Sequence, residues 1–164
     1  RARVVARMLA LDDVILGELS WAVAKSLLSG LAILAVIWGL GLYGNFWMTL
    51  WIIPVVALVG FCFGGLGLVM NAVSPSYDFF LYYFSLVITP MVLLCGVFFP
   101  VSQLPLPVQA VSAWLPLTHA IDLARPLVVG IVPGNIMLHV VALLIYGSLG
   151  YIIALALTRR RLLK

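Results

Sequence analysis

The chain has 164 residues, 65% of them hydrophobic and only 9% charged, with a mean hydropathy of +1.26 and a formal net charge of +4. A water-soluble domain carries about a quarter charged residues, so no aqueous surface can be built from this composition. The charges are also segregated, with none between Lys25 and Asp78, between Asp78 and Asp122, or between Arg125 and Arg159. Such stretches imply an all-α polytopic membrane protein, because ~20 apolar residues already cross a bilayer as a helix. The net positive charge sits at the two ends of the chain and predicts no nucleic-acid partner.

The first residue is Arg rather than Met, and no signal-peptide cleavage pattern follows it. The sequence reads as a piece of a longer protein that lacks its beginning. Residues 1–25, "RARVVARMLALDDVILGELSWAVAK", hold four of the nine basic and three of the five acidic residues. The stretch reads as two short amphipathic pieces separated by Asp12-Asp13, with those carboxylates capping a helix that starts near Val14. It is expected to lie at the membrane surface and then turn in.

The predicted spans follow in order. Residues 26–43 are uncharged and long enough to cover roughly 27 Å as a helix. "YGN" (43–45) makes a minimal turn, and residues 46–73 form a second span with Pro54 near its start. "SPSYD" (74–78) is a short polar turn before a third span over 79–100, which contains Pro90. The fourth, 136–158, ends in the basic tail 159–164, "TRRRLLK" with its threonine. An even number of spans puts both ends on one side, and the basic clusters at both ends put that side in the cytoplasm.

Between the third and fourth spans the chain is broken yet still oily. Pro100, Pro105, Pro107 and Pro116 interrupt it, while Val101, Leu104, Leu106, Val108, Val111, Trp114, Leu115 and Leu117 keep it apolar. Irregular backbone at membrane depth survives only where protein or a water-filled cavity shields it. Two arrangements satisfy that constraint. Residues 101–130 either form two short helices that dip into the outer leaflet and return, or lie flat at the interface with Trp114 in the aromatic belt.

No catalytic constellation is visible. Lys25-Ser26 is the sole Lys-Ser or Lys-Thr pair, and no glycine-rich phosphate loop precedes it. His119 and His139 lie too far apart in sequence to form a ligand pair at helical spacing. Cys62 and Cys95 sit in apolar runs as small buried residues. Asp122 and Arg125 are helix neighbours at i, i+3 in an otherwise uncharged segment. They form either a modest surface ion pair or a lock near the outer exit. Gly60 and Gly64 make a G-x-x-x-G pair that fits close helix packing within the chain, or contact with a second copy. Tyr77, Phe79, Phe80, Tyr82, Tyr83 and Phe84 either anchor the interface or border an amphiphile's path.

"TPMVLLCGVFFPVSQLP" followed by "LPLTHAIDLARPLVVG" resembles the permease subunits of type-2 ABC exporters, and within them the nodulation-type lipo-oligosaccharide exporter permeases. The resemblance is carried by Pro90, Gly96, Phe99-Pro100, Leu104-Pro105, Leu115-Pro116, His119, Asp122 and Arg125. "SPSYDFF" (74–80) and "LALDDVILGELSWA" (9–22) add to it, and the order matches along essentially the whole chain. The resemblance implies a six-span permease of which the third to sixth spans are present, with a re-entrant helical pair over 101–117 and 118–130. It implies a cytoplasmic segment, with Arg7, Asp12, Asp13 and Glu18, that couples to a separate ATPase subunit. ATP and Mg would belong to that subunit, and this chain would hold no cofactor. An outer gate would use Pro100, Pro105, Pro116, His119, Asp122 and Arg125. Membrane lipid, a second permease copy and an amphiphilic glycolipid substrate in the bacterial inner membrane complete the expectation. A drug-efflux permease of the same architecture, or a non-transporting helical scaffold, are the alternatives.

Overall fold

The computed structural model describes residues 2–98 and 101–162, with side chains from 11 to 161 in its helices. Among the described residues there are helices and turns and no strand. Helix α1 covers Ala2–Gly39. A loop leads to the one-turn helix α2, Phe46–Leu50, and then to α3, Ile52–Val73. The next rod is α4, Tyr77–Tyr83, a π-helical turn over Phe84–Ile88, and α5, Thr89–Leu94. Two short helices follow, α6 over Leu106–Ser112 and α7 over Pro116–Val129, before the long α8, Ile136–Leu162. Four stretches are long and apolar enough to cross a membrane: Leu11–Gly39, Phe46–Val73, Tyr77–Leu94 and Ile136–Arg161. The expected all-α polytopic architecture is therefore present.

The start of the chain differs from its sequence reading. Asp12 and Asp13 lie inside one continuous helix and cap nothing. No proline interrupts this region, and a mid-helix Asp costs only about 0.7 kcal/mol relative to Ala. Neighbouring Ala, Leu and Met carry the helix through. The third span also ends earlier than expected, at Leu94. Pro90 explains its π-helical turn. It cannot donate to Leu86, and its ring would crowd that carbonyl. The ladder widens instead, and the Thr89 N–H reaches back to the Phe84 carbonyl.

Helices α3 and α8 approach more closely than side chains would allow. A Cβ on Gly65 would sit 2.6 Å from the Gly147 carbonyl oxygen, and one on Gly150 only 2.7 Å from the Gly65 carbonyl carbon. Removing side chains lets two backbones gain dispersion contact that lipid cannot supply between helices. Gly60 and Gly64 face α1 instead, against Ser26, Leu19 and Ala22. Cys62, Leu143, Ala120 and Leu123 fill the junction of α3, α7 and α8. Leu34, Ile52 and Leu127 make a second core between α1, α3 and α7.

This contact is directly testable in the full-length protein. Gly65→Leu is expected to cost about 1–3 kcal/mol by overpacking. Gly67→Ala, with open space around it, is expected to be neutral or to gain up to about 1 kcal/mol in helix propensity. Cys62 and Cys95 are free and buried, so their reactivity to a fluorogenic thiol reagent on heating measures both variants.

Candidate functional site

The broken segment is built from prolines placed where a missing N–H does no harm. Pro105 precedes the first residue of α6 and Pro107 falls in its first turn, while Pro116 opens α7. Pro100 lies outside the described residues. Gly130 closes α7 in a left-handed conformation, φ 85°, and the Ile131 N–H returns to the Pro126 carbonyl at 2.8 Å.

Side chains from other elements satisfy the carbonyls that these breaks expose. Ser112 Oγ donates to the Leu94 carbonyl at 2.9 Å, and Gln109 Nε2 to the Leu104 carbonyl at 2.7 Å. Arg125 Nη2 donates to the Gly96 and Val97 carbonyls at 2.6 and 3.2 Å. Tyr146 Oη donates to the Trp114 carbonyl at 2.6 Å. Tyr146 lies ten residues into α8, roughly 15 Å along its axis, so the turn between α6 and α7 sits well down that helix. The other end of α7 returns to the start of the bundle. Gly44 N–H donates to the Val128 carbonyl at 3.0 Å, and a Cβ on Gly44 would run into the Val129 carbonyl.

Arg125 therefore does not pair with Asp122, and among the described residues the single ion pair lies elsewhere. Helical spacing makes the two neighbours but does not fix where a long side chain points. The carbonyls at Gly96 and Val97 follow the end of α5, where the helix ladder and its dipole leave negative partial charge. A guanidinium fork meets two such oxygens at once.

Two imidazoles far apart in sequence meet between α7 and α8. His119 Nδ1 and His139 Nδ1 are 2.8 Å apart. A bond between two Nδ1 atoms needs one as donor and the other as acceptor, so two neutral rings joined this way hold opposite tautomers. His119, Asp122 and His139 all line one cavity of about 640 Å3. No metal-binding group of three or more such residues occurs among the described residues.

The opposite end of the bundle carries the remaining candidates. Arg159 on α8 holds Asp12 on α1, with Nε 3.2 Å and Nη2 2.5 Å from its carboxylate. Arg161 Nη1 donates to the Ala72 and Ser74 carbonyls at the end of α3, at 3.3 Å each. Glu18 and Arg161 line a cleft of about 290 Å3 between α1, α3 and α8. Asp13 and Glu18 are exposed. Arg7 lies on α1, at a position whose side chain is not described. Sequence reasoning missed Ser112, Gln109 and Tyr146. Gln109 and Ser112, polar residues in an otherwise apolar segment, were the available signal.

The absence of a direct Asp122–Arg125 pair predicts additivity. Arg125→Ala should cost about 1–3 kcal/mol by stranding two carbonyls. Its effect and that of Asp122→Ala on thermal stability should add within about 0.5 kcal/mol. A larger coupling would restore the pair.

Comparison with known proteins gives these features a family. Residues 3–129 match the family model described as ABC-2 type transporter. Nodulation protein J of Rhizobium leguminosarum bv. viciae is 44% identical over 152 residues, covering 93% of this chain and 58% of that protein. Nodulation protein J of Bradyrhizobium diazoefficiens is 46% identical over 156 residues, covering 95% and 59%. That of Rhizobium meliloti is 42% identical over 153 residues, covering 93% and 58%. The chain thus spans somewhat under three fifths of the length of these curated relatives. No solved structure matches it. A match over most of the chain, together with four apolar spans, places this chain in the ABC-2 type transporter family.

Proposed function

We propose that the chain is part of the permease subunit of an ATP-binding cassette exporter that moves an amphiphilic lipo-oligosaccharide or glycolipid across the bacterial inner membrane. The observation that carries this reading is the identity to Nodulation protein J along nearly the whole chain. A separate ATPase subunit would bind ATP and Mg, and a second permease copy would complete the pathway. The apolar lining of the bundle suits a substrate with an acyl chain.

In this reading α6 and α7 form a re-entrant pair at the outer side. The depth of the Trp114–Tyr146 hydrogen bond along α8 supports re-entry over a flat loop. The basic ends would lie in the cytoplasm by the positive-inside rule. The Asp12–Arg159 bridge supports placing them together. Coupling to the ATPase would then use the exposed Asp13 and Glu18, because Asp12 is already engaged inside the chain. A push on α1 would pass to α8 through Asp12–Arg159 and to α3 through the Gly60–Gly64 contact.

Inside-out vesicles holding the full-length permease and its ATPase test this. An N-acylated oligosaccharide should accumulate only with hydrolysable ATP and both subunits, and its deacylated form should not. Transport of a lipophilic cation instead would favour drug efflux, and failure to bind an ATPase would favour a scaffold. Cysteines placed at positions 3 and 162 should stay shielded from an impermeant thiol reagent in intact cells. Asp13→Ala with Glu18→Ala should reduce substrate-stimulated ATP hydrolysis while membrane insertion persists.

A further inference from the structure

The cavity between α6, α7 and α8, about 640 Å3, falls within the range of small-molecule sites, about 300–1,000 Å3. Its lining is mixed. Trp114 stands at its edge with 77% of its surface exposed, and Leu138 and Ile145 extend the apolar side. Gln109, His119, Asp122 and His139 supply the polar groups. Some of their hydrogen-bonding capacity is already used. The Gln109 amide donates to the Ser102 and Leu104 carbonyls, which leaves its Oε1 as an acceptor. The two imidazoles use their Nδ1 atoms on each other. In their neutral forms one Nε2 is then a donor and the other an acceptor. Asp122 has no hydrogen-bond or ion-pair partner among the described residues, since Arg125 turns to Gly96 and Val97.

We infer that this cavity is a saccharide-binding site, with Trp114 as the stacking face and Asp122, Gln109 and the His119–His139 pair as the hydroxyl-reading edge. The inference rests on the export reading and adds to it where the headgroup of the amphiphile is held.

The chemistry discriminates among occupants. An acyl chain would fill the apolar side but leave a carboxylate and an amide oxygen without donors, which costs free energy when water is excluded. A simple cation would answer Asp122 alone. A sugar ring has a C–H face that lies flat on an indole and a rim of hydroxyls that both donate and accept. That rim matches two acceptor-only groups beside a pair of ring nitrogens of opposite role. Trp is also, with Tyr and Arg, among the side chains enriched at the energetic centres of recognition surfaces.

The test uses the full-length permease with its ATPase in lipid nanodiscs, without nucleotide, and radiolabelled dodecyl maltoside as probe. Free maltose should compete for the bound probe, whereas dodecyl octaethylene glycol ether, with the same chain and no sugar, should not at equal concentration. Competition by maltose alone identifies the saccharide as the recognised part, independent of the chain. Asp122→Asn and Trp114→Ala should each weaken binding about tenfold, and Ile145→Trp, which fills the cavity, should abolish it. Each variant is checked for assembly with the ATPase, and if Trp114→Ala fails to assemble the other two decide. Equal competition by the glycol ether would overturn the site in favour of a greasy groove. Unchanged affinity in Asp122→Asn and Ile145→Trp would also overturn it. Saccharide binding without ATP-driven export would sink the export reading and leave the site standing. Export that is indifferent to all three substitutions would do the reverse.

Discussion

Every carbonyl exposed where an apolar helix breaks must find a donor inside the protein, because hydrocarbon offers none. In the proposed re-entrant arrangement, that requirement would govern the region between the third and fourth spans. The breaks at Leu94, Gly96, Val97, Leu104 and Trp114 are each met by one polar side chain: Ser112, Arg125, Gln109 or Tyr146. Prolines remove donors at helix starts, where none is needed, and these four residues add donors at helix ends, where they are. The segment can therefore be both oily and irregular. Thr49 obeys the same rule from the loop end of the bundle. It is fully buried, and its hydroxyl donates to the Asn45 carbonyl and reaches the Leu127 carbonyl at 3.5 Å.

These bonds need a rigid frame to hold their donors in place. Glycines supply it by letting α3 lie against α8 through Gly65, Gly147 and Gly150, and against α1 through Gly60 and Gly64. Helix α7 then packs Ala120, Leu123 and Leu127 into the seams of that frame. The rod from α4 to α5 is held differently. Its sides are largely exposed, and it joins the rest at its end, through Leu94 and the carbonyls that Arg125 grips. Attachment by hydrogen bonds at one end leaves a helix's flanks open to lipid.

The parts of this architecture legible in the sequence were those set by local chemistry. Uncharged runs marked the second, third and fourth spans, whereas the first reaches back through charged residues to Leu11. The prolines marked where the later segment breaks, but its short helices begin at Leu106 and Pro116 rather than at 101 and 118. Asp12-Asp13 misled because a capping pair and two tolerated mid-helix residues look alike until the partner, Arg159, is known. That partner lies 147 positions away. Asp122 and Arg125 misled for a related reason. Spacing fixes which side chains are close, but the unfilled carbonyls of another element decide which contact forms. The imidazole pair was not legible at all, since it exists only when α7 lies alongside the first turns of α8.

The cavity and the broken backbone then have one origin. A continuous helix in place of α6 and α7 would satisfy its own backbone and pack side by side with α8, leaving no hollow. Splitting it at Pro116 turns the chain beside Tyr146 and sends α7 back along α8, with the Gly44–Val128 bond holding its far end. Two short helices converging on a turn enclose space that one straight helix would fill. The donors that make the break tolerable are the same polar groups, or their helix neighbours, that line this space: Gln109 caps Leu104 and borders the cavity, and Tyr146 caps Trp114 and borders it too. In the re-entrant arrangement proposed above, a polar hollow at membrane depth follows from the cost of breaking a helix there.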